Sequence, residues 1–475
     1  MSRGHRSGTR QGSSRATVNR SRWVEVSVLI LGVLALFAGT LATAEWVGQF
    51  SSRGMLTLLW QERLRILRLL AMVVGSFLVV GSSWRLRGKR VSLIVLAASL
   101  AWSLALVNRL YPNHLFFQPA RLIQAGLGEE MLLSDYAPRQ RLVLPAHEVL
   151  RARYPVINIH AHFRRGHHWT PEQMIGFMDA CNIERTNDLD GELGKRMQEE
   201  FTQYAAPHPD RFTIFATVWY PLGPIDWGYF HWSVEHLAEA KRMGAKGIKM
   251  WKNLGLTTLD EHRRLIPVDD PRLDSVWAKA GELKLPILIH LGDPQAFFDP
   301  IDKHNERYEE LKAHPDWSFY GPQYPSLETV LAQFERVVTR HPEVTFVLAH
   351  LGNRTDDLRE AAGLLNRHPN LYMDIAARVS ELGRQPAAAR DFLIRYQDRV
   401  LFGTDGNPGV ETYRSYFRFF ETTDEYFNYP FWPQDNYGRW KIYGIALPDD
   451  VLRKLYHDNA ARLLGLPLLA DVKRR

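Results

Sequence analysis

Two histidines, His160 and His162, close an apolar run that reads INIHAH. Side chains two apart on a strand project to one face, so this pair is predicted to point together. Three further residues follow similar runs: His290 ends PILIH, His350 ends FVLAH, and Asp405 comes directly after VLFGT. Imidazole nitrogens with a carboxylate oxygen make a donor set suited to Zn²⁺ or another divalent ion. A bound divalent ion brings the pKa of water to about 7, so the chemistry in view is metal-assisted attack by water. A lone His-x-His is weak evidence, because one histidine at a strand end is ordinarily a satisfied structural residue. Five such residues in order, each at the same end of its strand, are a different matter.

The elements that must carry them are short β-branched runs alternating with helical patterns. Strands are predicted at 156–162, 184–189, 212–219, 247–251, 287–291, 345–350, 371–375 and 400–403, with helices at 233–243, 327–340, 356–366 and 387–397 between some of them. After the first strand, Thr170 is placed as an N-cap, Pro171 in the first turn and Gln173 as the return half of a capping box. Eight strands alternating with helices fit an α/β fold, a (β/α)8 TIM-type barrel. A doubly wound sheet has the same alternation, so the count alone leaves both open. The polar residues decide for the barrel, whose strand carboxyl ends all meet at one rim where active sites lie.

This pattern resembles the amidohydrolase superfamily, and within it the amidohydrolase-related branch that includes aminocarboxymuconate-semialdehyde decarboxylase and related lactone hydrolases. The resemblance spans about residues 153–466. It implies that His160, His162, His290 and Asp405 are metal ligands and that His350 works beside the ion as acid/base or carbonyl polariser. Asp405 is both ligand and catalytic group, accepting the proton of the attacking water. The family usually has Asp where this chain has Asn158, a position that is not a ligand. The expected cofactor is Zn²⁺, with Mn²⁺ the alternative, one or two per chain. Lys249 ends the fourth strand, where binuclear members carry a carbamylated lysine; contact with substrate is the reading preferred for it here.

Lys252, Arg378 and Arg384 lie near the ends of strands four and seven. With Lys249 they suggest an anionic, carboxylate-bearing substrate, and Lys249 and Arg378 are the residues assigned to bind it. Asp374 sits inside a strand and needs a partner if buried. His167 and His168 are read as surface or substrate-loop residues. Segments 224–232 and 427–440 are dense in Trp, Tyr, Phe and Pro, and either roof the barrel mouth, cover helices or meet a membrane surface.

The chain has 475 residues, 45% hydrophobic and 23% charged, with a net charge of +7. That excess is local. Residues 1–90 hold 13 Arg and 1 Lys against 3 Glu, a net of +11, which leaves residues 91–475 at −4. Nucleic acid is therefore disfavoured as a partner. The single cysteine, Cys181, excludes an intrachain disulfide framework. Residues 1–22 read as a disordered basic tail. Apolar runs at 24–44, 69–84 and 91–107 predict three transmembrane helices within a membrane region at 23–110. Six arginines before the first run and four basic residues in the connector 85–90 put the N terminus in the cytoplasm and the catalytic region outside it. A linker at 111–152 leads to the barrel at 153–466, and 467–475 form a tail.

These features predict a membrane-anchored metal-dependent hydrolase that attacks a C–N or C–O bond, in an amide, ester or lactone, of a small molecule. Non-oxidative decarboxylation on the same residues is the alternative, and a non-catalytic membrane-tethered sensor is the third reading.

Overall fold

A computed structural model describes residues 132, 138–163, 169–218, 225–406, 409–429 and 438–469. The chain divides into two units, Met1–Gln140 and Arg141–Arg475. The basic tail and the three predicted spans lie outside the described residues, as do His167 and His168. Among the described residues no helix is long and apolar enough to cross a membrane. The last part of the predicted linker belongs to the second unit, where His147 donates its backbone N–H to Asp424 at 2.8 Å.

The strands of that unit are β1 (Val156–Ala161), β2 (Ile183–Asp188), β3 (Phe212–Ile214), β4 (Ala216–Thr217), β5 (Ile248–Met250), β6 (Ile287–Ile289), β7 (Phe346–Leu348), β8 (Leu371–Asp374) and β9 (Val400–Leu401). Each predicted strand is present, and the third is split in two at Phe215. The pieces stay registered, because Phe215 N–H donates to Asp188 O and Ala216 N–H to Gly247 O, both at 2.9 Å. All pairings are parallel and run in chain order, β1 to β3 and β4 to β9. The circle closes where Ile159 N–H donates to Phe402 O at 3.0 Å and Ala161 bridges Gly406. The result is the eight-stranded parallel barrel.

Helices separate the strands: α1 (Pro171–Cys181), α2 (Gly194–Glu200), α3 (Trp227–Met243), α4 (Asp274–Leu283), α5 (Tyr308–Ala313), α6 (Leu327–Arg340), α7 (Leu358–Arg367), α8 (Val379–Leu382), α9 (Pro386–Arg395), α10 (Val410–Glu421), α11 (Asp449–Arg453) and α12 (Asn459–Leu464). Helix α1 starts as its sequence dictates, with the Thr170 capping box formed and Pro171 at its first position. Helix α6 buries Leu327, Val330, Leu331, Phe334, Val337 and Val338, a stripe at helical spacing that covers the sheet. Helix α3 starts earlier than predicted, because the Asp226 carboxylate accepts from the backbone N–H of Gly228 and Tyr229. Residues 227–232 are therefore the opening turns of a helix rather than a loop over the mouth.

The barrel interior is filled by Ile157, Ile159, Phe215, Leu288, Val347 and Leu401, with Ala460, Ala461 and Leu464 of α12 packed against them. The remaining apolar residues of the strands, such as Val156, Ile287, Phe346 and Leu371, face the helix layer.

Candidate metal centre

The rim of the barrel is shaped by a bulge between β1 and the end of β9. The carbonyl of His160 accepts from both Thr404 N–H (3.2 Å) and Asp405 N–H (2.9 Å), so two residues oppose one. The approach is close: a Cβ on Gly403 would lie 2.7 Å from the Cβ of His160, so this position needs glycine. Asp405 itself takes a left-handed backbone, φ 57°. Its Oδ1 stands 3.2 Å from Nε2 of His160 and 3.2 Å from Nε2 of His162, and its Oδ2 stands 3.8 Å from Nε2 of His350. One donor atom each from His160, His162 and Asp405 falls within 4.8 Å of the others. His350 packs on His160 with ring centroids 4.9 Å apart.

The other ring nitrogens are already committed. His160 Nδ1 lies 2.8 Å from Asp374 Oδ2, His162 Nδ1 lies 2.6 Å from Asp190 Oδ1, and His350 Nδ1 lies 2.7 Å from the carbonyl of Ala376. These partners accept, so each Nδ1 carries the hydrogen and each Nε2 is left facing the rim. Nε2 of His160, His290 and His350 is buried with no hydrogen-bond partner among the described residues. Buried polar atoms are ordinarily satisfied. Nitrogen lone pairs converging beside a carboxylate fit a divalent cation such as Zn²⁺ or Mn²⁺.

Electrostatics agree with that donor set. Burial alone would raise the Asp405 carboxyl, but His160 and His162 beside it hold it well below the ordinary range. Burial likewise opposes ionisation of Asp374, yet His160 and the backbone N–H of His350 bring it down to about 2. Burial pushes His350 and His290 well below 6.5, and the Lys249 and Lys252 cations push His290 further. Both imidazoles are therefore neutral at neutral pH. A neutral His350 with its proton on Nδ1 has a bare Nε2, which accepts a proton and cannot donate to an oxyanion. Of the two roles expected for His350, acid/base work fits this tautomer.

Backbone strain concentrates here. Residues 350–353 are four consecutive left-handed residues, with φ of 59°, 53°, 66° and 57°. Each non-glycine residue held so costs roughly 1–2 kcal/mol, and such strain gathers at functional sites.

A model of the amidohydrolase family matches residues 157–466, well over half of the chain. The chain belongs to the amidohydrolase family. Members of this family act with divalent metal ions, so this amidohydrolase-family chain is an enzyme and the sensor reading is set aside. No curated protein matches it. Among solved structures it is similar to 2,6-dihydroxybenzoate decarboxylase complexed with 2,6-dihydroxybenzoate, at 18% identity and a TM-score of 0.39 over 62% of this chain and 87% of that one. It is also similar to 4-oxalomesaconate hydratase from Rhodopseudomonas palustris (15%, TM-score 0.39, 67% and 98%). An amidohydrolase from Burkholderia multivorans is a third (14%, TM-score 0.40, 66% and 99%).

The remaining expected residues of this amidohydrolase-family enzyme divide in two. His290 stands against His350, ring centroids 4.3 Å apart, with its Nε2 3.6 Å from Asp293 Oδ1; it borders the tight group rather than joining it. Lys249 is buried, its Nζ 5.3 Å from the centre of the Trp251 ring, and Trp251 in turn packs on His162 at 5.1 Å. Three further cations are bonded within the chain. Lys252 pairs with Asp293 at 2.6 Å, and Arg384 forks onto Glu306 at 2.8 and 3.1 Å. Arg378 donates to Asn353 Oδ1 and to the carbonyl of Ala377. Asn158 spans β1 and α10, donating to Thr404 Oγ1 (3.0 Å) and Tyr413 OH (3.3 Å), while its Oδ1 accepts the backbone N–H of His160 at 3.3 Å.

Asp190, Asp293, Trp251 and Asn353 were not singled out from the sequence. For Asp190 a signal exists: it lies two residues beyond β2, at the same rim as the histidines, where a carboxylate to orient an imidazole belongs.

Proposed function

We propose that this enzyme hydrolyses a C–N or C–O bond, in an amide, ester or lactone, of a small carboxylate-bearing molecule. The observation that carries the reading is the convergence of His160, His162 and Asp405, with the bare Nε2 of His350 beside them. His160, His162, His290 and Asp405 would hold a divalent ion, Zn²⁺ or else Mn²⁺, one or two per chain. When bound, that ion supplies Lewis-acid activation of water and of the scissile carbonyl.

The chain's own residues do the rest. Asp405 is ionised at neutral pH and 18% exposed, so its carboxylate accepts the proton of the attacking water and passes it to the leaving group. His350 takes the second acid/base position through Nε2. Lys249, close enough to act electrostatically on His290, offers a cation to the substrate carboxylate. Arg378 belongs to the same charge field, although its guanidinium is bonded within the chain.

The reading extends to location. The apolar runs within residues 23–110 and the arginines that flank them support three membrane helices, a cytoplasmic N terminus and an extracytoplasmic barrel at 153–466, with 111–152 as linker and 467–475 as tail. A C-terminal reporter active only in the cytoplasm would overturn this topology.

The test of function is elemental analysis of the full-length protein followed by a screen of esters, lactones and carboxylates. About one Zn²⁺ or Mn²⁺ per chain, lost in His160→Ala, with hydrolysis products and no CO₂, is the expected outcome. CO₂ release with no uptake of water into product would replace hydrolysis by decarboxylation. Unchanged turnover in Asp405→Asn would remove Asp405 from its role.

A further inference from the structure

The left-handed run that carries His350 ends in a buried side chain with bonds to two other strand ends. Asn353 Nδ2 donates to the carbonyl of Leu291 at 2.9 Å, one residue after His290 and just beyond β6. Its Oδ1 accepts from Arg378 Nη2 at 2.5 Å and Nε at 3.2 Å. Arg378 in turn donates through Nη1 to the carbonyl of Ala377 at 2.7 Å. Ala377 is itself held left-handed, φ 52°, by its N–H bond to Tyr416 OH at 3.0 Å. The next residue back, Ala376, supplies the carbonyl that orients His350 Nδ1.

These bonds close a ring between the ends of β7 and β8, to which the end of β6 is attached through Asn353. On one side the ring is tied to His290 through Leu291. On the other it is tied to His350 twice, through the run 350–353 and through Ala376. Asparagine suits the node for two reasons. It tolerates the left-handed backbone found here, and its planar amide carries a donating NH2 and an accepting oxygen on one short side chain. Arginine suits the other place because its planar fork reaches Asn353 and Ala377 together. Asn353 is fully buried and Arg378 nearly so.

We infer that Asn353 and Arg378 are a positioning pair, fixing His290 and His350 at their 4.3 Å ring separation so that His290 meets the ion while His350 stays beside it. The inference rests on the metal-centre reading above. It gives Arg378 a role through Asn353 rather than through substrate.

The test needs no substrate. Full-length protein is stripped with a chelator and titrated with Co²⁺, whose visible absorption reports the geometry of its ligands. Asn353→Ala and Arg378→Ala are each expected to weaken Co²⁺ binding at least tenfold and to alter the absorption bands. The double variant should lose no more than the worse single one, because the two act as a unit. Arg378→Lys, which keeps the charge but not the fork, should alter the bands even if the alanine variants fold poorly. Asn370→Ala is the control: Asn370 also bonds backbone carbonyls, of His341 and Val344, but just before β8 begins, away from the rim. It should lose stability and keep the wild-type bands. Unchanged affinity and bands in Asn353→Ala and Arg378→Lys would overturn the inference and return Arg378 to the substrate. Failure of the wild type to bind Co²⁺ would instead overturn the metal-centre reading beneath it.

Discussion

Asp374 lies 2.8 Å from His160, its Oδ2 against the ring Nδ1, with both groups fully buried. The other oxygen, Oδ1, accepts the backbone N–H of His350 at 2.9 Å and of Ala376 at 3.0 Å. One strand carboxylate thus sets the tautomer of a candidate ligand and the backbone of the residue beside it. Removing the charge in Asp374→Asn leaves a weaker, ambiguous partner for His160. Zn²⁺ affinity is expected to fall about 10–100-fold, measured by competition with a chromophoric chelator. An unchanged affinity would show that His160 needs no carboxylate behind it.

The two buried histidines should cost the metal-free protein stability in acid, beginning near pH 6.5. His290 and His350 are held neutral by burial, with folded pKa values well below 6.5, so below that pH the unfolded chain binds more protons and unfolding is favoured. Asp374 adds a second loss lower down, as pH falls from its ordinary 3.8 towards about 2. His457 works in the opposite sense. Burial lowers it, but Glu184 and Asp458 outweigh that and raise it, so its contribution is present in acid and fades as pH rises. Glu310, which burial raises to about 7, and Asp188, which burial raises well above its ordinary 3.8, likewise take up protons in the folded chain as pH falls, so the histidine loss is read by difference. Urea unfolding of chelated wild type and of a His290→Gln, His350→Gln protein at pH 7.5, 6.5 and 5.5 checks this: the wild type should lose more stability in acid than the variant, and equal profiles would contradict it.

Gly403→Ala should damage the site while leaving the barrel standing. The new methyl would meet the His160 Cβ at 2.7 Å, and the neighbour is part of a bulged backbone rather than a flexible tip. His160 must then shift, and Co²⁺ affinity should drop at least about tenfold, a misplacement effect of the kind that supports left unspecified produce. Wild-type affinity in this variant would mean the rim yields more easily than its bonds suggest.

Trp277→Ala should do the reverse. Trp277 of α4 is fully buried and packs towards Phe346 in the layer between helices and sheet. Its truncation is expected to cost about 3–5 kcal/mol of stability, read from denaturant unfolding. Metal stoichiometry at low temperature should stay at the wild-type value, since His160, His162 and Asp405 meet at the rim and Trp277 packs against Phe346.

The sequence by itself determined which residues meet at the rim, because the rule that brings them there is local. A residue at the carboxyl end of a parallel strand arrives at the common rim whatever the rest of the fold does. His160, His162, His350 and Asp405 needed only that rule, and the eight strands and the Thr170 cap followed from periodicities within a few residues. Asp374 was visible too, as a carboxylate in an apolar strand that had to find a partner.

Tertiary structure decided the pairing. Lys252, Arg378 and Arg384 look alike as cations near strand ends, yet each is bonded to its own partner, Asp293, Asn353 and Glu306. Asp190 serves His162 and Asn353 joins β6 to Arg378 through contacts between residues 25 to 62 positions apart. Such bonds depend on where neighbouring strand ends lie in space and on which backbone turns left-handed. Neither is encoded in the residues nearby, because a polar side chain at a crowded rim has several acceptors within reach and only the packed barrel selects among them.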